Sequence, residues 1–351
     1  MFVASPFMKK FRSKAEIKVG VIGYGGAFNM GRQHLQEMQK AGMTPVAVAE
    51  IDTSRLAVAD QDFPGIQTYA KVDEMLKKSD VNLITLITPH NTHAPLSIQC
   101  LRAGRHVVCE KPFAITTAEC DAIIKEAKKR KLVVSTYHNR HWDGWILRAV
   151  EEVKKKKAIG EIFRIDLRMG TRGKPGDWWR TSRSISGGIL YDWGVHLLEY
   201  AFQLIDSDLV EVSGFARTGH WAGQTKWKND CNEDEATAVI RFKNGAWVNL
   251  TISHLDANPK EGFVEIHGTK GNYVMLWPHF LQHEIEGDVK TTHQGPHHSG
   301  QGHLFYENIA AHLTTGEPLV ITPEWARRPI HVIDLAMQSA AKGRTLPVKY
   351  K

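Results

Sequence analysis

The chain has 351 residues, of which 42% are hydrophobic and 24% are charged, and its formal net charge is +7 at pH 7. This composition is ordinary for a globular protein, and the length favours two domains over one. No stretch approaches the roughly 18 consecutive apolar residues of a transmembrane helix, and residues 1–16 lack the apolar core of a secretory signal. We therefore expect a cytoplasmic protein with no membrane partner.

The positive charge is concentrated in two short runs, residues 125–131 and 154–157, near the predicted C-terminal ends of helices. Cations are favourable there because of the helix dipole, and no aromatic side chains are interleaved with them. The pattern indicates solvated helix ends and no nucleic-acid partner. The four cysteines have neither metal-type nor redox spacing, which predicts reduced thiols.

A glycine-rich turn lies near the start of the chain. An apolar run at residues 17–22 leads into the sequence GYGG at residues 23–26, and a helical pattern follows. Glycines permit a sharp turn and let backbone N–H groups approach a pyrophosphate at the N-terminus of a helix. We interpret residues 27–30 as a small insertion that leaves Gly31 to pack the helix on the strand. The next predicted strand ends in Glu50, where a carboxylate would meet ribose hydroxyls.

Strands and helices alternate up to residue 136, which predicts a parallel sheet with right-handed crossovers. Thr116 and Glu119 form a capping box at the start of one helix, and Gly42 and Gly104 occupy positions expected for helix C-caps. The strand candidates are residues 17–22, 45–50, 66–69, 82–87, 106–109 and 132–136.

The pattern changes after about residue 140 and becomes β-rich. Asn244-Gly245 and residues 268–271 have the composition of hairpin turns, and Thr322 and Pro323 are typical of the N-cap and first residue of a closing helix. The other elements predicted here are a helix at 145–157, a strand at 162–169 and a helix at 189–204.

We therefore predict an α/β Rossmann-type N-terminal domain and an α+β C-terminal domain with a mostly antiparallel open sheet. The first domain is expected at residues 17–138, after an N-terminal extension at residues 1–16. The second is expected at residues 139–351.

Two segments carry side chains typical of catalysis. Lys111 directly follows the fifth strand, between Glu110 and Pro112, and ligands of such sheets bind beyond the carboxyl ends of the strands. The bond before Pro112 is a candidate cis peptide. Asp192 and His196 are four residues apart and so share one face of an otherwise apolar helix. Two ordinary readings stay open: a lysine that is merely exposed, and an Asp–His hydrogen bond that faces solvent.

These segments, in their order along the chain, resemble the Gfo/Idh/MocA family, named after glucose–fructose oxidoreductase, inositol dehydrogenase and rhizopine catabolism. The matching segments span nearly the whole chain after residue 16. They are GRQH (31–34), AVAEID (47–52), ITPHNTHA (87–94), AGRHVVCEKPFA (103–114), IGEI (159–162), GGILYDWGVHLLEY (187–200), RFKNGA (241–246) and HGTKG (267–271).

The resemblance implies an oxidoreductase that transfers a hydride between nicotinamide and a hydroxyl-bearing carbon of a sugar or polyol. Lys111 would stabilise the alkoxide, His196 would take the hydroxyl proton as general base, and Asp192 would orient His196 or hold a neighbouring hydroxyl. No metal is expected. One departure is His90, which stands where many members have asparagine. The residues expected to bind the cofactor are Gly23, Tyr24, Gly25, Gly26, Ala27, Phe28, Asn29, Glu50, Thr88, Pro89, His93, Glu110 and Lys111.

The expected cofactor is NAD, with NADP as the alternative. Glu50 should accept hydrogen bonds from the adenosine ribose and repel a 2′-phosphate. Arg55 and Ser54 follow closely, and an arginine at this place can accept that phosphate.

A sugar or polyol is also expected from tryptophans and arginines near the catalytic segments, because aromatic faces stack on pyranose rings and arginines bind hydroxyls or carboxylates. The expected substrate-binding residues are Lys111, Arg140, His141, Trp178, Trp179, Arg180, Asp192 and His196. Histidines 293, 297, 298 and 303 have no metal-type spacing, so we expect a flexible or substrate-facing loop there.

Two other functions stay open. One is an NAD-dependent enzyme that cleaves glycosides through transient oxidation of a sugar carbon, and the other is a non-catalytic sensor of nucleotide and sugar. We also expect a homodimer or homotetramer packed through the C-terminal sheet, because an open sheet with an exposed apolar face is unusual in a monomer.

Overall fold

The structure, a computed structural model, describes residues 11–349. The chain divides into two units, one formed by Met1–Asn139 with His303–Arg327 and the other by Arg140–Gly302 with Arg328–Lys351. Within the expected extension at residues 1–16, residues 1–10 lie outside the described part, and Lys14–Glu16 form a short 3₁₀ helix. Among the described residues, no helix is both long enough and apolar enough to cross a membrane.

The strands in the described part of the chain are β1 (Lys18–Ile22), β2 (Thr44–Ala49), β3 (Gln67–Tyr69), β4 (Leu83–Leu86), β5 (His106–Cys109), β6 (Val134–Thr136), β7 (Ile162–Gly170), β8 (Leu209–Arg217), β9 (Glu235–Phe242), β10 (Trp247–Ser253), β11 (Val264–Gly268), β12 (Gly271–Met275), β13 (His279–Glu286), β14 (Val289–Pro296) and β15 (Leu346–Pro347). The α-helices are α1 (Met30–Lys40), α2 (Thr53–Asp62), α3 (Val72–Lys78), α4 (His93–Arg102), α5 (Thr117–Arg130), α6 (Gly144–Ala149), α7 (Arg183–Ser186), α8 (Leu190–Leu204), α9 (Leu304–Thr314) and α10 (Pro323–Lys342). Helix α6 continues as a π-helical turn, Val150–Lys155.

The first unit contains a six-stranded parallel sheet with the strand order β3-β2-β1-β4-β5-β6. Strands β4 and β5 are buried along their whole length, as expected for parallel strands covered on both faces. The capping box of Thr116 and Glu119 is present, and Gly42 and Gly104 follow α1 and α4 with φ of +90° and +80°. The predicted Rossmann-type sheet is therefore confirmed.

Helix α9 belongs to the first unit, although the sequence division placed it in the 139–351 domain. Its Tyr306 is fully buried, and the hydroxyl oxygen lies 2.6 Å from His34 Nδ1 and 3.0 Å from Thr85 Oγ1. These contacts join helix α9 to α1 and β4. Sequence periodicity describes only neighbours along the chain, so it could not place a helix that returns to an earlier sheet.

The second unit contains a nine-stranded sheet with the order β14-β13-β12-β11-β7-β10-β9-β8-β15. All neighbouring pairs are antiparallel except β7 and β10, which run parallel. The turns at Asn244-Gly245 and at residues 268–271 join β9 to β10 and β11 to β12. The predicted mostly antiparallel sheet is confirmed.

The apolar face of β9 and β10 is covered within the unit by helix α8. Leu250 and Ile252 are buried beneath Gly194, where an added Cβ would lie 3.2 Å and 3.7 Å from their side chains. The opposite face is only half-buried and mixes Trp247 with polar side chains such as Asn249. The apolar face of β9 and β10, from which we expected an oligomer, is thus already covered by α8.

The histidine-rich segment, which we expected to be a flexible or substrate-facing loop, is anchored on other parts of the second unit. His293 lies on the edge strand β14, and His297 Nε2 lies 2.9 Å from the carbonyl oxygen of Leu276. His298 Nε2 lies 2.6 Å from Glu151 Oε2. The segment packs so closely on α6 that a Cβ at Gly144 would lie 1.7 Å from the carbonyl oxygen of His298. The polar composition of the segment concealed this strand and its anchoring.

Candidate functional site

The glycine-rich turn at the end of β1 has the geometry of a pyrophosphate-binding loop. Gly23 has φ of +101°, and a Cβ there would lie 2.1 Å from the carbonyl oxygen of Ile87, so only glycine fits. A Cβ at Gly25 would meet no atom within 4 Å, which leaves its backbone accessible. A Cβ at Gly31 would lie 2.6 Å from Tyr24 Cδ2, so Gly31 packs α1 closely on the turn as expected. The turn therefore fits a dinucleotide phosphate.

Glu50 and Arg55 brace this turn from the end of β2 and the start of α2. Glu50 Oε2 accepts a hydrogen bond from the Tyr24 N–H at 2.6 Å, and Oε1 accepts one from the Asp52 N–H at 3.0 Å. Arg55 donates through Nε to the Tyr24 carbonyl oxygen at 3.0 Å and through Nη2 to Asn29 Oδ1 at 3.2 Å. A carboxylate offers about four acceptor sites, so Glu50 retains capacity for ribose hydroxyls.

Tyr24 is held in the core rather than presented to a ligand. Its side chain is buried, and its hydroxyl donates to Asp62 Oδ2 at 2.7 Å. Arg32 Nε donates to the same oxygen at 2.6 Å. Burial and the Asp62 carboxylate raise the pKa of Tyr24 well above its ordinary range. We therefore expect any contribution of Tyr24 to cofactor binding to come from its backbone.

The segments after β4 and β5 are tied to each other by His93. Its ring nitrogens lie 2.7 Å from the Pro112 carbonyl oxygen and 2.9 Å from the Thr88 carbonyl oxygen. The peptide bond between Lys111 and Pro112 is cis. Carboxyl ends of parallel strands meet at one edge of a sheet, so this pair of segments shares an edge with the glycine-rich turn. Lys111 thus occupies the edge at which such sheets bind ligands.

Glu110 is turned into the core of the first unit. Its Oε1 lies 3.0 Å from Nε2 of the buried His34, and its Oε2 accepts a hydrogen bond from the Lys111 N–H at 2.8 Å. Burial raises the pKa of Glu110, but the His34 hydrogen bond and the nearby Lys111 charge outweigh it and leave the pKa below its usual value. The hydrogen bonds of the Glu110 side chain are thus made with groups of the protein, and a contact between Glu110 and the cofactor stays a prediction.

In the second unit, a buried carboxylate fixes the N-terminus of α8. Glu233 Oε2 accepts a hydrogen bond from the Ile189 N–H at 2.9 Å, and Arg183 Nε lies 3.1 Å from Oε1. Gly188 has φ of +134°, and a Cβ there would lie 2.8 Å from Glu233 Oε2. An anion at this place is favourable because of the helix dipole. The position of α8 therefore depends on a residue 44 positions later in the chain.

The first turns of α8 gather several of the predicted substrate-binding residues. Arg180 Nη1 lies 3.6 Å from Asp192 Oδ1, and the Arg180 guanidinium carbon lies 5.1 Å and 4.6 Å from the ring centroids of Trp178 and Trp179. His196 is one turn further along α8 and only 4% exposed. The loop and the start of the helix thus bring a carboxylate, a guanidinium and two indoles together, and the ring of His196 contacts that of Trp193, with centroids 5.9 Å apart.

Residues Arg140 and His141 join the same face of α8 from the segment after β6. The Arg140 guanidinium carbon lies 4.8 Å from the ring centroid of Trp193. His141 Nδ1 contacts Glu199 Oε1, and Glu199 Oε2 accepts a hydrogen bond from Gln203 Nε2 at 2.9 Å. Glu199 is 1% exposed, so its charge depends on these partners. The contact between Nδ1 of His141 and the Glu199 carboxylate fixes the orientation of the imidazole ring.

Sequence reasoning missed Glu199 and Gln203. They continue the polar stripe of Asp192 and His196 at spacings of four, three and four residues, which places all four side chains on one face of α8. The stripe was visible in the sequence as polar residues within an apolar helix. Its meaning depended on His141, more than 50 residues earlier, which the helical pattern cannot show.

Within the described residues, one group has the composition of a metal site: Asp166, Glu265 and His267 on the sheet of the second unit. Arg164 occupies this group, with Nε 3.0 Å from Asp166 Oδ2 and Nη2 2.9 Å from His267 Nε2. A guanidinium thus supplies the positive charge that the carboxylates need.

A six-stranded parallel sheet in this order, with a glycine-rich turn after its first strand, defines a dinucleotide-binding protein. Residues 17–138 match the family described as "Oxidoreductase family, NAD-binding Rossmann fold", and residues 147–274 match the "GFO/IDH/MocA C-terminal domain". The chain belongs to the Gfo/Idh/MocA family. The predicted family and its NAD-binding oxidoreductase character are confirmed.

Relatives extend this similarity over nearly the whole chain. A scyllo-inositol 2-dehydrogenase (NADP(+)) of Bacillus subtilis is 23% identical over 98% of this chain and 99% of its own length. A myo-inositol 2-dehydrogenase of Thermotoga maritima is 27% identical over 73% of this chain and 74% of its own. The solved structure of an NAD-binding protein from Listeria innocua has a TM-score of 0.79 and 26% identity, covering 94% of this chain and 96% of that one.

Proposed function

We propose that this protein is an NAD-dependent dehydrogenase or reductase of a sugar or polyol, with Lys111, Asp192 and His196 as its catalytic residues. The observation that carries the proposal is the cluster on α8, in which Asp192 and His196 share a face with arginine and tryptophan side chains. Such a cluster suits a ring that bears several hydroxyls, because indoles stack on it while charged groups hold its oxygens.

Each catalytic residue has a distinct task in this proposal. His196 takes the hydroxyl proton of the substrate as general base, for which imidazole is suited because its ordinary pKa of about 6.5 lies near neutral pH. Lys111 supplies positive charge that stabilises the developing alkoxide of the substrate. Asp192 orients His196 or holds a neighbouring hydroxyl, and its contact with Arg180 fixes its position. The hydroxyl-bearing carbon becomes a carbonyl.

The cofactor would be held by the backbone of residues 23–29, by Glu50 and by the segments that contain Thr88 and Lys111. When bound, NAD supplies the acceptor for the hydride that leaves the hydroxyl-bearing carbon. The accessible backbone at Gly25 and the remaining acceptor capacity of Glu50 support this assignment.

The substrate class is a cyclic polyol or a sugar. Two relatives named above are inositol dehydrogenases, and an inositol is a ring with a hydroxyl on every carbon. We also expect His141, whose ring orientation is fixed by Glu199, to contribute to binding of the substrate.

The test is to incubate the purified protein with NAD or NADH and a panel of inositols, aldoses and glycosides, while following cofactor absorbance and identifying products. The proposal predicts reduction of NAD in proportion to the carbonyl product formed. Glycoside cleavage with no net change in the cofactor would favour the alternative function. Binding of NAD and sugar without any product would favour a sensor.

We further propose a homo-oligomer that uses the half-buried face of the second sheet. The neighbouring rings of Phe163 and Trp247, with centroids 5.8 Å apart, give this face an apolar patch, and Phe163 is 39% exposed. Sedimentation at micromolar concentration should show dimers or tetramers, and a monomer alone would contradict the proposal. A cytoplasmic location is supported by four buried free cysteines, which suit a reducing compartment.

A further inference from the structure

A buried hydrogen-bonded network connects helix α1 to the segment that carries Lys111. His34 is fully buried, with Nε2 3.0 Å from Glu110 Oε1 and Nδ1 2.6 Å from the Tyr306 hydroxyl. The Tyr306 hydroxyl lies 3.0 Å from Thr85 Oγ1. Glu110 Oε2 accepts the hydrogen bond from the Lys111 N–H. All of these residues belong to the first unit.

The chemistry of the groups sets the direction of each hydrogen bond. An ionised Glu110 can only accept, so His34 donates through Nε2. In the tautomer with its hydrogen on Nε2, the His34 ring accepts at Nδ1, so the Tyr306 hydroxyl donates there and accepts a hydrogen bond from Thr85 Oγ1. Every donor in the network has an acceptor, which is the condition under which a buried polar network is stabilising.

We propose that His34 is a positioning residue for Lys111: its hydrogen bond keeps Glu110 ionised and turned inward, where Glu110 holds the Lys111 amide and fixes the turn that carries the Lys111 side chain. This inference rests on the catalytic role proposed for Lys111. It assigns a task to the GRQH segment that neither the cofactor nor the substrate explains.

Electrostatics support the same conclusion. The titratable groups around Glu110 are His34 on α1, Tyr306 on α9, Cys109 and Lys111 on its own segment, and the Glu37–Tyr137 pair. Cys109, Tyr137 and Tyr306 all have raised pKa values and are neutral near pH 7, and Glu37 carries the same sign of charge as Glu110. His34 and Lys111 are therefore the groups that favour the ionised form. Loss of the His34 donor should raise the pKa of Glu110.

The test compares two amide variants that differ in reach. In His34→Gln the amide can occupy the place of Nε2 and still donate to Glu110, whereas in His34→Asn it occupies the place of Nδ1 and reaches only Tyr306. The ratio kcat/KM should be measured between about pH 6 and pH 9, together with the Kd for NAD. In His34→Asn, kcat/KM should fall by about tenfold for each pH unit below the raised pKa of Glu110. His34→Gln should keep the wild-type profile, and the Kd for NAD should stay within about twofold in both.

A readout that needs no substrate separates this inference from the proposed function. Infrared difference spectra should show the carbonyl band of a protonated buried carboxyl in His34→Asn near neutral pH. The band should be absent from the wild type and from the His34→Asn/Glu110→Gln double variant. In Glu110→Gln the side chain cannot ionise. The kcat of this variant should therefore be lower than that of the wild type by the same factor at every pH.

His106→Gln is the matched control, because His106 is a buried histidine at the opposite end of β5. It should leave both the pH profile and the infrared spectrum unchanged above about pH 6.5. The inference is overturned if His34→Asn shows neither the carboxyl band nor a displaced pH profile. It is also overturned if His34→Gln behaves like His34→Asn.

Discussion

Three carboxylates with little exposure to solvent fix the segments on which the proposed function depends. Glu110 holds the Lys111 amide, Glu199 holds His141, and Glu233 holds the first residues of α8. A buried charge destabilises a protein by several kcal/mol unless it is paired and hydrogen-bonded. Each of the three carboxylates has at least two partners. Replacing one of them with a neutral side chain should therefore impair function more than neutralising an exposed carboxylate would.

We expect the preference for NAD over NADP to depend on Glu50 and Arg55. The wild type should bind NAD at least about tenfold more tightly than NADP, because Glu50 repels a 2′-phosphate and like charges in contact disfavour binding by several kcal/mol. Glu50→Gln should narrow that difference. Relative to the wild type, Arg55→Met should weaken the binding of NADP more than it changes the binding of NAD. Titration of both cofactors by calorimetry would measure this, and equal or tighter binding of NADP by the wild type would contradict it.

His106 should make the stability of the fold sensitive to acid. Burial lowers its pKa to about 4, and its Nδ1 accepts a hydrogen bond from the Val133 N–H at 3.0 Å. In the unfolded chain the pKa of His106 is about 6.5. The contribution of His106 to the free energy of unfolding is therefore fully present above pH 6.5 and is lost as the pH drops toward 4. The loss should be on the order of 3 kcal/mol.

Urea unfolding of the wild type and of His106→Gln at several pH values would test this. The amide oxygen of glutamine can accept the Val133 N–H at any pH, so the variant should lose less stability between about pH 6.5 and pH 4. Equal acid sensitivity of the two proteins would exclude His106 as the cause.

At the scale of elements, local patterns predicted most of the first unit. The strands β1 to β6 lie within about two residues of their predicted ranges, because alternation of buried strands and capped helices is a local signal. The hairpin β13–β14 was missed, since the exposed edge strand β14 is polar along its length. Edge strands face solvent and so lack the apolar alternation that identifies a strand.

Helix α6 offers a direct test of how the histidine-rich segment is anchored. Gly144→Ala should destabilise the protein by about 1–3 kcal/mol, because its Cβ would overlap the His298 carbonyl oxygen and displace that segment. Gly173→Ala is the matched control, since a Cβ there meets no atom within 4 Å. Its effect should stay within about 0.5 kcal/mol in urea unfolding. Equal stability of the two variants would contradict the close packing described here.

At the scale of the whole molecule, the sequence predicted the family and the two kinds of sheet, while the roles of the site residues stay predictions. It could not predict which distant residues meet. Tyr306 joins His34 across 272 positions, Glu233 meets Ile189 across 44, and Glu199 meets His141 across 58. Such contacts depend on the path of the chain in three dimensions, whereas periodicity and caps report only on neighbours within a few residues.

Our central proposal is that hydride transfer depends on both Lys111 and His196. Its most direct test is single-turnover kinetics of His196→Asn and Lys111→Met with saturating NAD and the substrate found in the panel. Both variants should bind NAD like the wild type, and the hydride-transfer rate should fall by roughly 10² to 10⁴, the usual range for a positioned acid–base group. A near-wild-type rate in either variant, with NAD bound, would contradict the account.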